Sequence, residues 1–164
     1  MTLRPALSGL AALLLLAGCA GGVDPGDGTA ATATPAASES DTATLDLTAG
    51  SSTIGLPAEL GTAPTDSAGG AARTADDGLI AIVTFGSSTC PQVPDSPATG
   101  TDSAVTVTFP TPTDGPCTLD YVPATTVITL PDGVRADSDL SVTIGDFGTV
   151  TLPVGSTEAV WVTG

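Results

Sequence analysis

The 164-residue chain contains no histidine, no lysine and no asparagine. Each absence removes a chemistry. Without His, neither a Ser–His nor a Cys–His nucleophile system can be assembled. Without Lys, Schiff-base and Ser–Lys catalysis are lost as well. Without Asn there is no acceptor for N-glycosylation. Positive charge is nearly missing: Arg4, Arg73 and Arg135 stand against 18 Asp and Glu, for a net charge of −15. Such a surface repels phosphate backbones, which excludes a nucleic-acid partner. It is also repelled by anionic headgroups, so membrane association would need a covalent or inserted apolar anchor. Aromatic residues make up 3% of the chain: Phe85, Phe109, Tyr121, Phe147 and Trp161. A core must therefore be built from Val, Ile, Leu and Ala.

Cysteine is scarce too, and the first of the three closes the stretch "LLLLAGC". Upstream of it, Arg4 is followed by an apolar run from about Leu10 to Ala17 and then by small residues. This is the charged, apolar and small-residue order of an export signal. The run is shorter than the roughly 18 residues that a spanning helix needs. Leu16, Ala17, Gly18 and Cys19 resemble the lipobox of bacterial lipoproteins. The resemblance implies cleavage before Cys19, a lipid on its thiol, and residence on the extracytoplasmic face of the cell membrane. Two or three acyl chains on that residue would anchor the chain stably, where a single one is marginal. Removal of residues 1–18 leaves two Arg against 18 Asp and Glu, a side-chain net of −16, and takes away the only Met.

Residues 19–52 are dominated by Ala, Thr, Gly, Ser, Pro and Asp. This composition cannot offset the entropy of ordering and predicts a flexible linker. Its r.m.s. reach would be roughly 30 Å. A domain is expected over 53–164, with its firm core over 78–164. "TIGLPAEL" (53–60) reads as a first strand or a docking segment, and 61–77 as loop.

From Leu79 the pattern becomes that of strands. "LIAIVTF" (79–85) is a continuous apolar run, as in a strand buried on both faces. "AVTVTF" (104–109), "LSVTI" (140–144) and "TVTLPV" (149–154) alternate, the last placing Val150, Leu152 and Val154 on one face. "TTVITL" (125–130) and "AVWV" (159–162) are further candidates, with "TLDY" (118–121) as a short extra strand. Turn signals separate them at "TDGP", "PDG" and "GDFG". No helical stripe of useful length follows residue 20. The expected fold is all-β, a small antiparallel, immunoglobulin-like β-sandwich after a flexible tether.

So small a domain needs a staple. With Cys19 lipidated, Cys90 and Cys117 are the only thiols left, and export places them in an oxidising compartment. A disulfide between them is expected to contribute roughly 3–4 kcal/mol. Pro91 and Pro116 flank the two cysteines and place them in loops at one end of the sandwich. A redox role is disfavoured, because Cys-x-x-Cys spacing and neighbouring bases are missing. "FGSSTCPQVP" (85–94), "CTLDY" (117–121) and "TLPDGV" (129–134) resemble small lipoproteins of actinobacteria, a resemblance that implies no activity.

Carboxylates are the remaining reactive groups. Asp132, Asp137 and Asp139 in "PDGVRADSD" surround Arg135, match no Ca²⁺-loop spacing and read as a solvated loop, as do Asp76 and Asp77. "GSSTC" (86–90) lacks the form of a nucleophile elbow. Neither a metal site nor a cofactor is expected, and no catalytic residue is assigned. The sequence leads to a membrane-anchored, non-catalytic binding or accessory module of the cell envelope. Its expected partners are the membrane, through the lipid on Cys19, and an envelope protein. The alternative is a small His-free hydrolase working through carboxylates or Ser.

Overall fold

A computed structural model describes residues 43–112, 115–135 and 137–163. The signal over 1–18, Cys19 and the linker up to residue 42 lie outside the described residues.

The strands are β1 (Ser52–Ile54), β2 (Gly69–Arg73), β3 (Leu79–Gly86), β4 (Thr99–Thr101), β5 (Ala104–Val107), β6 (Val122–Thr129), β7 (Leu140–Ile144), β8 (Gly148–Leu152) and β9 (Val160–Trp161). They form a sandwich of a five-stranded sheet, β1-β6-β3-β2-β9, and a four-stranded sheet, β4-β5-β7-β8. Alternate residues of each sheet meet in the middle. Ile80, Ile82 and Ile128 from one sheet pack with Val105, Val107, Leu140, Val142, Ile144, Val150 and Leu152 from the other.

β3 is buried on both faces, as its unbroken apolar run predicts. Its second face carries Ala81 and Val83, which lie under Leu60, Leu45, Leu56 and Trp161. Leu60 ends a 3₁₀ turn, Ala58–Leu60, so "TIGLPAEL" supplies both an edge strand and a docked segment. The cover begins earlier still. In the last part of the expected linker, the Gly50 N–H donates to Val127 O at 2.7 Å and the Val127 N–H donates to Ser51 O at 2.9 Å.

Several expectations are corrected. β2 lies in the 61–77 stretch read as loop and before the core boundary at 78, yet all five of its residues are buried. Its Gly-Gly-Ala-Ala sequence carries no β-branched signal, because the space above it is filled from elsewhere. A Cβ on Gly70 would sit 2.6 Å from Cε3 of Trp161. β4, with the sequence Thr-Gly-Thr, was likewise unsignalled. Its Gly100 has φ 138, and a Cβ there would meet Ala104 O at 2.3 Å, so only glycine lets this edge close onto β5. The 118–121 segment is not a strand. β8 stops at Leu152, and Val154, beyond Pro153, is 48% exposed instead of facing inward with Val150. All neighbouring strands are antiparallel except β5 and β7. Parallel neighbours need a crossover, and the chain makes it through β6 in the opposite sheet.

Candidate functional site

β3 and β6 are paired along their whole length, down to Gly86 opposite Val122. The chain leaving β3 and the chain entering β6 therefore emerge side by side at one end of the sandwich. There Cys90 and Cys117 are bonded, with their Cα atoms 5.6 Å apart. This is the geometry expected of loops that must lie within about 4.4–6.8 Å of each other. Both cysteines sit in connections that cross between the sheets, one from β3 to β4 and the other from β5 to β6.

Beside the disulfide, side chains replace a strand ladder. The Thr118 N–H donates to Thr89 Oγ1 at 3.0 Å, and the Ser88 N–H donates to Asp120 Oδ1 at 3.1 Å. The Ser87 and Thr118 hydroxyls lie 2.8 Å apart, and the Thr118 hydroxyl also donates to the Asp120 carboxylate. These contacts explain why "TLDY" does not become a strand: Thr118 and Asp120 are engaged sideways by the Ser87–Thr89 loop. They also act on the acid. Hydrogen bonds from the Ser88 and Thr118 side chains, then from the Ser88 backbone, lower the Asp120 pKa from 3.8 to about 2. A carboxylate held that acidic is a poor proton acceptor at neutral pH. The arrangement holds and displays groups more readily than it moves protons.

What it displays is apolar. Leu119, between the two engaged residues, is fully exposed at 105%. Tyr121 is 65% exposed. Its ring stacks on Phe85 with centroids 5.5 Å apart and planes 19° apart, and its hydroxyl donates to Ser67 O at 3.3 Å. Phe85 in turn lies 6.1 Å from Trp161. Three of the five aromatic residues thus form one row on the outer side of the five-stranded sheet. The sequence reading missed this row. The signal was the cysteine pairing, since Phe85 and Tyr121 each lie a few residues from a bonded cysteine.

The disulfide also lines an open groove of about 400 Å³, together with Pro91, Val93, Phe109 and Pro112. At the opposite end of the sandwich a smaller apolar cavity of about 250 Å³ lies among Leu45, Leu47, Leu60 and Arg73. Arg73 itself is buried and donates to the Ser138 carbonyl.

Three of the five acids singled out in the sequence, Asp76, Asp137 and Asp139, are each engaged by a different partner. Asp137 pairs with Arg135 at 3.1 Å, Asp139 accepts the Val154 N–H at 3.1 Å, and Asp76 accepts the Gly78 N–H at 2.8 Å. Among the described residues no three His, Cys, Asp or Glu converge as metal ligands, and no helix is long and apolar enough to cross a membrane. The chain matches no protein-family model, no curated protein and no solved structure.

Proposed function

We propose that this chain is an exported lipoprotein, held on the extracytoplasmic face of the cell membrane by a lipid on Cys19. Its sandwich serves as a non-catalytic binding or accessory module that engages an envelope partner through its disulfide end. The observation that carries the binding role is the clamped 118–121 loop. Binding surfaces concentrate their energy in a few preorganised aromatic and apolar anchors. Here Leu119 is held outward between two residues fixed by a hydrogen-bond network beside the disulfide, and Tyr121, stacked on Phe85, keeps most of its surface exposed. The anchor and the compartment draw support from Leu16-Ala17-Gly18-Cys19 and from the Cys90–Cys117 bond, since such bonds persist in oxidising surroundings.

The test is fractionation with mass spectrometry of the N-terminal peptide. The wild-type chain is expected in membranes with a lipidated Cys19 at its N-terminus, and Cys19→Ser is expected uncleaved or released. An unmodified Cys19 in the membrane fraction overturns the anchor. A photo-crosslinker at position 119 should trap an envelope component when one at Thr106 does not. Equal trapping from both positions overturns the binding end.

A further inference from the structure

We infer that Tyr121, backed by Phe85 and bordered by Ser87, Thr118 and Asp120, forms a subsite for one ring of a neutral saccharide. This deepens the binding-module reading and rests on it. Tyr121 has one ring face stacked on Phe85, so its 65% exposure lies on the opposite face and the edges. The ring is pinned by that stack and by its hydroxyl on Ser67 O, so little ordering remains to be done when a ligand arrives. A pyranose ring has the complementary form, an apolar C–H face with hydroxyls around its rim. Aromatic faces that combine an apolar body with a polar surround suit such amphipathic ligands.

The polar surround is in place. Gly86 pairs with Val122 at the end of the two strands, and Ser87 and Tyr121 are the residues just beyond that pair. The Ser87–Thr118 hydroxyl pair and the Asp120 carboxylate are bonded to one another in the residues that immediately precede and face Tyr121 along the chain. Hydroxyls can donate or accept, and a carboxylate accepts from sugar hydroxyls. Leu119, fully exposed alongside, extends the apolar strip.

Charge selects the class of saccharide. The chain carries −15, and Asp120 stays ionised at any physiological pH. Uronate- or phosphate-bearing glycans are therefore repelled and neutral ones are not.

The experiment is a two-dimensional NMR titration of the full chain, with the fluorescence of its single Trp161 as a second readout. The probes are neutral oligosaccharides of glucose, N-acetylglucosamine and mannose, with an oligogalacturonate as the anionic comparator. At least one neutral probe should give saturable shifts confined to residues 85–88, 118–121 and 161, with a dissociation constant of about a millimolar. Tyr121→Ala should weaken that binding about tenfold, the size of one stacking contact. Tyr121→Phe, which keeps the stacking face, should retain most of it, and an unchanged dispersion of the Tyr121→Ala amide spectrum shows that its loss of binding is not one of folding. No saturable shift with any neutral probe overturns the inference, as does tighter binding of the anionic comparator or binding indifferent to Tyr121→Ala. The Cys19 fractionation reads only the anchor and the crosslinking only the binding end. A protein that is lipid-anchored and crosslinks from position 119 but ignores every neutral saccharide therefore sinks this inference alone.

Discussion

The two sheets share an inner apolar layer and differ on their outer faces. The outer face of the five-stranded sheet is covered: Ala72, Ala81 and Val83 lie under Leu45, Leu56, Leu60 and Trp161. The outer face of the four-stranded sheet is bare and hydroxylated. Thr99 stands opposite Thr106, Thr106 beside Thr143, and Thr143 opposite Thr149. None of its four strands carries a charged residue. Thr fits such a face because it combines β-branching with a hydroxyl for water. One sheet thus spends both faces on the core, and the other keeps one face for solvent.

The sharpest way to break this comparison is to place a charge on each outer face. Val83→Asp buries an unpaired carboxylate at a position with no exposure. It should lower stability by about 3–5 kcal/mol or more, much of the ~5–15 kcal/mol that a domain has in hand. Thr106→Asp, exposed on the bare face, should lower it by about 1 kcal/mol or less. Denaturant midpoints measure both. Equal losses would mean that the cover over Val83 is not packed as described.

The same difference decided what could be read from the sequence. Strands of the bare sheet alternate in polarity because only one face is buried, so β5, β7 and β8 were legible within a residue or two. β3 was legible for the opposite reason, since burial of both faces leaves no polar position from Leu79 to Val83. β2 was not legible. Gly70 is set by Trp161 and Gly69 by the Val83 carbonyl, partners that join β2 only through the fold, and local pattern carries no trace of such contacts. "TLDY" failed in the other direction. Its residues have strand-like composition, but Thr118 and Asp120 bond sideways to the 87–89 loop, and Leu119 has no partner face. The cysteine pairing was legible by elimination, and the aromatic row it gathers was not, because its members come from three separate strands or loops.

A second test addresses how the covered sheet is tied to the bare one. Cys90 and Cys117 join two of the four connections that cross between the sheets, so the disulfide restrains passage between the sheets at one end. Reduction, or the double change Cys90→Ala with Cys117→Ala, should lower stability by roughly 2–5 kcal/mol. Hydrogen exchange should accelerate most in residues 87–98 and 110–121 and least in the β7–β8 hairpin, which the disulfide does not touch. Uniform acceleration would show that the disulfide acts on the whole unfolded chain and not on the junction.

The smallest expected effect concerns the acid at that junction. Asp120 titrates at about 2 in the folded protein against an ordinary value of 3.8. A folded-state pKa below the unfolded one means that ionised Asp120 favours folding. That contribution is complete above pH 3.8 and fades as pH falls through about 2. The whole protein moves the other way over part of this range. Protonating the other carboxylates relieves the repulsion of a chain at −15, so the stability of wild type alone hides the effect. The difference between wild type and Asp120→Asn isolates it, because the background titrations cancel. That difference should be constant above about pH 4 and shrink toward the acid limit. A difference that grows on acidification would mean that the Ser88 and Thr118 hydrogen bonds do not favour the charged form, and the junction would then be held by its disulfide alone.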